Sequence, residues 1–180
     1  MPRSACLTRR NRSADRGSTR DALPVSTSIA VGFLADHLDL VSLVARWHQL
    51  AWGEGYERSE TAWQEVVTSR TGRQTIPLTL VAHVDARPVG CLSVSWDDVD
   101  LDFADEGPWL AGVYVYGPAR NLGVGRALVG QAENLCAALG HRMLWAHTAE
   151  AHRFYERCGW HLVRPKSSID RDAVLRRDLS

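Results

Sequence analysis

The strongest chemical signal in this chain is the segment Tyr116-Gly117-Pro118-Ala119-Arg120-Asn121-Leu122-Gly123-Val124-Gly125-Arg126. It joins a β-forming run, Trp109 to Val115, to the start of an amphipathic helix. A helix N-terminus offers unpaired backbone N–H groups and the positive end of the helix dipole, both suited to a phosphate. Gly123 and Gly125 let the backbone approach a ligand without Cβ obstruction, and Arg120 and Arg126 add positive charge nearby. The competing reading is a helix entry with packing glycines. Two other phosphate sites do not fit. The G-x-x-x-x-G-K-[ST] loop is absent and the single lysine, Lys166, lies elsewhere. A dinucleotide fingerprint needs a third glycine near position 128, where Leu128 stands.

A second concentration of chemistry precedes the strand. Asp97, Asp98, Asp100, Asp102, Asp105 and Glu106 place six carboxylates in ten positions. Such a run is either a solvated loop or a rim that holds a cationic substrate. Trp52, Tyr56, Trp96 and Trp109, with Trp47, could furnish an apolar or stacking wall beside it, although most tryptophans serve the core. Cys6, Cys91, Cys136 and Cys158 lie far apart, with no CxxC pair and no His/Cys cluster at ligand spacing, so no metal is expected. Dispersed cysteines of this kind read as reduced, mostly buried thiols, and a cytoplasmic location follows as the expectation.

The elements that must position these groups fit one domain. The chain has 180 residues, 45% hydrophobic and 23% charged, an ordinary globular composition with room for a single core. Lys+Arg and Asp+Glu are both 21, so net charge makes no case for nucleic acid, and no apolar run is long enough to cross a membrane. Residues 1–25 carry six Arg against Asp15 and Asp21 and lack an apolar h-region; they read as a flexible basic tail rather than a secretory signal, with residues 26–180 as the domain. Residues 28–34 predict a first strand. Leu40, Leu43, Val44, Trp47, Leu50 and Ala51 recur at helical spacing over 39–52, with Asp39 as N-cap and Gly53-Glu54-Gly55 as the stop. A second helix starts at the cap Ser59 and runs towards Gly72. Strands follow over 78–84, 89–96 and 109–115, then a helix from about Val124 to Leu139, a strand over 143–147, a short helix over 151–157, and strands over 160–163 and 173–177. The order predicts a single α/β domain whose mixed, mostly antiparallel sheet is flanked by helices.

Two motifs together carry a resemblance. Arg120-Asn121-Leu122-Gly123-Val124-Gly125 fits the R/Q-x-x-G-x-G/A pyrophosphate loop of the GNAT acetyltransferases. Downstream, Ala151-His152-Arg153-Phe154-Tyr155-Glu156-Arg157-Cys158-Gly159-Trp160 resembles that family's A-x-x-F-Y-E-x-x-G-F element. The resemblance spans roughly residues 27–179 and is specific in its second half. It implies acetyl transfer from acetyl-CoA, as co-substrate, to an amine within a ternary complex. It assigns the phosphate cradle to Arg120, Asn121 and the backbone of Leu122, Gly123, Val124, Gly125 and Arg126. It assigns a bulged backbone at Val113, Tyr114 and Val115 to polarising the thioester carbonyl and opening a slot for pantetheine. Tyr155 becomes the acid that protonates the departing thiolate, a role a phenol of pKa about 10 can fill at neutral pH. His152 would line the same channel, and Thr148 stands where many relatives have Asn for a pantetheine contact. Arg153 and Arg157 are either phosphate contacts or solvated helix charges.

The base that deprotonates the amine is open among Asp97, Asp98, Asp100, Asp102, Asp105, Glu106, His83 and Glu54; Asp105 and Glu106 are put first. The acidic run favours a small cationic acceptor, with Trp52, Tyr56, Trp96, Asp97, Asp98, Asp102 and Trp109 as its contacts. The chain also resembles the small bacterial acetyltransferases that inactivate aminoglycoside antibiotics, those acting on the 2'-amine of kasugamycin among them. A protein N-terminal or lysine acetyltransferase is the alternative. A CoA-binding module without catalysis is disfavoured by the uninterrupted loop and by Tyr155. No nucleic-acid or membrane partner is expected, and a monomer or homodimer fits.

Overall fold

The computed structural model describes residues 28–56, 58–97, 100–167 and 172–179. The basic tail expected over 1–25, and Asp98, lie outside the described residues, as do the side chains of Glu54 and Tyr56. Seven strands form one sheet in the order β1-β2-β3-β4-β5-β7-β6. They are β1 (Ile29–Phe33), β2 (Leu78–Val84), β3 (Arg87–Ser95), β4 (Trp109–Val115), β5 (Met143–Thr148), β6 (His161–Arg164) and β7 (Ala173–Asp178). Every neighbouring pair is antiparallel except β4 and β5, which run parallel. Among the described residues four α-helices accompany the sheet: α1 (Val41–Tyr56), α2 (Glu60–Ser69), α3 (Val124–Ala138) and α4 (His152–Arg157).

Alternation along the strands sorts side chains onto two faces. Leu80, Leu92, Leu110, Leu144 and Leu175 point to one face, where Leu128 and Ala132 of α3 and Tyr155 of α4 close over them. Val81 and Cys91 point to the other, under Val44 and Trp47 of α1 and Trp63 and Val67 of α2. Farther along that second face Trp109, Trp145 and Val174 form a separate cluster, capped by Phe103 from the loop between β3 and β4. Fully burying a side chain of this size contributes about 1.5–3 kcal/mol, so two covered faces supply the bulk of the driving force.

The first helix departs from the sequence expectation at three points. Asp39 is not its N-cap: it sits inside a 3-10 turn, Leu38–Leu40, that precedes α1. Gly53 and Gly55 do not stop the helix, which continues to Tyr56. Leu50 is 72% exposed because the sheet contacts the Val44, Trp47 and His48 side of α1 and leaves Leu50 beyond that stripe. Ser59 caps α2 as expected, its Oγ accepting from Ala62 N at 3.2 Å. Cys91 and Cys136 are buried free thiols, and burial pushes both up to about 12, so neither ionises near neutral pH.

Candidate active site

The parallel pairing of β4 with β5 is short. Trp109 faces Trp145 and Leu110 faces Ala146, and no pair follows. Beyond that point the strands part, leaving a slot bordered by residues 111–115 on one side and 147–148 on the other. β4 is also irregular there. Against β3, Tyr114 pairs with Cys91 and Ala111 with Ser93, so Leu92 faces both Gly112 and Val113. This is a β-bulge, which breaks the ladder and re-aims backbone groups. Gly112 takes φ +56°, and a Cβ there would lie 2.6 Å from Nε2 of His48, a fully buried residue of α1. His48 is in turn bordered by the rings of Trp52 and Trp63, at 5.4 and 5.3 Å, and lies 3.6 Å from Cys91 Sγ. The protonated Cys91 thiol donates to Gly112 O at 3.7 Å. The bulge is therefore seated on a packed plug of α1 and α2 side chains.

At the far end of β4 the chain makes a 3-10 turn, Gly117–Ala119, and then enters α3. Asn121 and Gly123 adopt φ +65° and +90°, left-handed conformations that Asn tolerates and Gly takes without strain. Gly123 is the N-cap of α3 and brings no side-chain cap, so no side chain of the cap residue satisfies the first-turn N–H groups. A Cβ on Gly123 would meet only Ile29 Cδ1, at 3.8 Å, so the cradle is open at that position. Gly125 is different. A Cβ there would press on Phe154 of α4, 3.2 Å from Cζ, so this glycine lets α3 and α4 approach rather than clearing space for phosphate. Arg126 likewise donates to Arg157 O at 3.1 Å across the same contact, and Arg120 Nε donates to Val115 O at 3.1 Å, tying the loop to the end of β4.

The α4 side of the slot is ordered by Thr148, whose Oγ1 accepts from Ala151 N at 3.0 Å and fixes the turn from β5 into α4. Tyr155 is 4% exposed, with Phe154 and Trp160 rings at 5.2 and 5.3 Å, so its ring is held rigidly on the α3 and α4 face. His152 Nδ1 is buried without a hydrogen-bond partner in the protein, a polar atom that a bound ligand could satisfy. An open slot, an uncapped helix entry and an orphaned ring nitrogen together fit a long phosphorylated thioester such as acetyl-CoA.

The predicted substrate contacts divide sharply. Trp52 lies beside His48 and the bulge. Tyr114, expected as a cofactor contact through its backbone, stacks its ring on Trp47 at 5.4 Å. Trp109, expected in the substrate wall, is fully buried, and its Nε1 donates to Glu106 O at 2.7 Å; it is core, not wall. Trp96 is half exposed at the end of β3, against His141, away from the slot. Asp105 and Glu106 stand before β4, separated from the slot along the strand by the paired residues Trp109 and Leu110. His83 lies on β2, with β3 between it and β4; burial first, then His37, lower its pKa.

The acidic run is not a free rim either. Asp97 accepts from Ser95 Oγ and from the buried Arg70 at 3.1 Å. Asp100 and Asp102 both grip Arg164 of β6, Asp102 at 2.8 Å. Arg164 is the first cause holding the Asp100 carboxyl below its ordinary value. These three carboxylates anchor the loop to distant parts of the fold, Asp97 to Arg70 and both Asp100 and Asp102 to Arg164, instead of standing free as a rim. One functional group was missed by the sequence reading: His147 of β5 with Asp172, Nδ1 to Oδ2 at 3.1 Å. The signal was available only as a polar residue closing an apolar strand.

Among the described residues no helix is long and apolar enough to cross a membrane, and no His/Cys/Asp/Glu group could hold a metal. No curated protein matches the chain by sequence. Solved structures match its fold. An aminoglycoside 6'-N-acetyltransferase complexed with coenzyme A superposes with a TM-score of 0.67 at 14% identity, over 84% of this chain and 97% of that one. The aminoglycoside 6'-N-acetyltransferase of Enterococcus faecium gives 0.65 at 16% identity, over 84% and 97%. An acetyltransferase of Salmonella typhimurium with its cofactor acetyl-CoA gives 0.61 at 14%, over 86% and 95%. The profile of the acetyltransferase (GNAT) family matches residues 41–160, which carry the slot, the bulge and the uncapped helix entry. The chain belongs to the GNAT family and is an N-acetyltransferase that uses acetyl-CoA as co-substrate.

Proposed function

We propose that this enzyme acetylates a primary amine of a small cationic acceptor of the aminoglycoside type, with kasugamycin-like amino sugars as first candidates, and so confers tolerance to them. The observation that carries the acetyl-transfer chemistry is the end of β4–β5 pairing at Leu110 and Ala146, beside a helix entry without a side-chain cap. Acetyl-CoA supplies the activated acetyl group as a thioester. In this reading the first-turn N–H groups of α3, from Val124 to Arg126, hold its pyrophosphate. The backbone running from the bulge, which falls at Gly112 and Val113 rather than over 113–115, directs an N–H at the carbonyl oxygen, where one preorganised donor is worth about 2.7–4 kcal/mol. Tyr155 supplies the proton for the departing thiolate.

The fold likeness to aminoglycoside acetyltransferases supports a small amine acceptor. So does Trp52, half-buried beside His48 and the bulge, an aromatic ring suited to a sugar. Incubation with acetyl-CoA and a panel of kasugamycin, kanamycin, spermidine and an Ala-initiated peptide, read by mass spectrometry, tests the assignment. An acetylated antibiotic, with raised tolerance in a sensitive bacterium expressing the gene, is the expected result. Efficient acetylation of the peptide with no antibiotic modified would replace this reading by protein acetylation.

A further inference from the structure

We infer that His147, oriented by Asp172, is the general base that deprotonates the acceptor amine; this rests on the acetyl-transfer reading above. His147 is the first β5 residue past the last pair with β4, so it stands where the slot begins. Alternation puts it on the same face as Trp145, and its ring meets that of Trp109 at 5.9 Å. That is the face of α1 and α2, onto which Gly112 also points. Tyr155 lies on the opposite face, in the core under α3 and α4. Base and acid thus reach the slot from its two faces, so that one serves the incoming amine and the other the departing sulfur.

The dyad is built for proton transfer. A carboxylate can only accept, so Asp172 takes the hydrogen bond from Nδ1–H and fixes the tautomer with its lone pair on Nε2. Asp172 is held by Arg164, which donates to its backbone oxygen at 3.0 Å. The side chain of His147 is 19% exposed, enough for an acceptor to reach it. Among the described residues, Asp100 of the β3–β4 loop, Arg164 of β6 and Asp172 bring charge towards it, and the imidazole adds to the larger effect of Arg164 in lowering the Asp100 carboxyl. In the step, the ammonium gives one proton to Nε2 and becomes an amine. The amine closes the C–N bond, the C–S bond breaks, and the thiolate takes the Tyr155 proton. The nitrogen's second surplus proton re-protonates the phenolate, and His147 releases its own to solvent, leaving amide, thiol and one proton.

Two small nucleophiles isolate this step. Methylamine is protonated at neutral pH, like a lysine amine of pKa about 10.4, and needs a base, whereas hydroxylamine is already neutral. His147→Gln should lower kcat with methylamine by about 10²–10⁴-fold. With hydroxylamine it should stay near wild type, and acetyl-CoA affinity by calorimetry should not change. Asp172→Asn, altering the positioning residue, should shift the methylamine pH–rate limb to lower pH and lower its plateau. The carboxylate that stabilises the imidazolium is then gone. Equal losses with both nucleophiles, or no loss with methylamine, would overturn the base assignment. Wild-type transfer to methylamine with no antibiotic acetylated would instead strike only the acceptor reading; transfer to neither nucleophile would remove both.

Discussion

Replacing Gly112 by Ala tests whether the bulge beside the slot is built as described. The residue sits at φ +56°, where an L side chain costs about 1–2 kcal/mol. Its new Cβ would lie 2.6 Å from Nε2 and 2.7 Å from Cε1 of His48. His48 is fully buried between Trp52 and Trp63 and cannot swing into solvent, so the overlap adds about 1–3 kcal/mol of overpacking. The stiffer unfolded chain returns about 0.4–1 kcal/mol. The net expectation is a loss of about 1–4.6 kcal/mol, measured by urea unfolding followed through the tryptophan fluorescence. The decisive comparison is His48→Ala, alone and combined with Gly112→Ala. Removing the imidazole abolishes the clash and leaves only the backbone strain, so the double variant should lose less than the summed singles by about 1–3 kcal/mol. A Gly112→Ala cost below about 0.5 kcal/mol, or singles that add within about 0.5 kcal/mol, would refute the seating of the bulge on His48.

Three further outcomes are expected. Gly123→Ala meets no packing obstacle, Ile29 Cδ1 being 3.8 Å away, but cannot hold φ +90° without strain. It should weaken acetyl-CoA binding at least tenfold, about 1.4 kcal/mol, by calorimetry in a folded protein; unchanged affinity would remove the cradle from this loop. Tyr155→Phe keeps the ring between Phe154 and Trp160 and removes only the hydroxyl, so kcat should fall by about 10²–10⁴-fold with acetyl-CoA affinity retained. Asp100→Asn should cost about 1.5–3 kcal/mol at pH 7, since it breaks a charged hydrogen bond to Arg164. Because the folded carboxyl is held below its ordinary 3.8, that stability is present above this value and is lost as pH falls through the folded one. Wild type and variant should therefore converge in acid unfolding, and a difference that persists there would point to packing instead.

Elements that announce themselves locally were legible in the sequence. β2 and β4 begin and end where their apolar runs do, and Ser59 caps α2, because turn residues and a hydroxyl at a helix start act within a few positions. Leu50 shows the limit of periodicity: helical spacing admits it to the stripe, but only the docked sheet decides which arc of the helix is covered. The loop glycines show another. Their spacing is the same signal whether a glycine opens space, as Gly123 does, or admits Phe154, as Gly125 does. The acidic run and the dyad were illegible for one reason. Asp100 meets Arg164 across 64 positions, and His147 meets Asp172 across 25. Partners so far apart leave no mark on local composition.

The acidic run nevertheless bears on the chemistry, by a route its composition does not suggest. Six carboxylates invite the idea of a field that draws in a cation, but exposed charges act over a Debye length of only about 8 Å at physiological salt, and a paired carboxylate has little field left to project. Asp100 and Asp102 spend theirs on Arg164. Arg164, held from that side, lays its guanidinium 5.5 Å from the Phe103 ring and donates to the backbone oxygen of Asp172. Asp172 then fixes the His147 ring at the point where β4 and β5 part. A flexible lysine in place of Arg164 could not make these forked contacts at once, because its ammonium is a point charge while the guanidinium is a planar fork. The run thus contributes to proton transfer as the outer end of a chain of hydrogen bonds. The charges of Asp100 and Asp102 are used within the fold, to hold an arginine that holds the carboxylate behind the base.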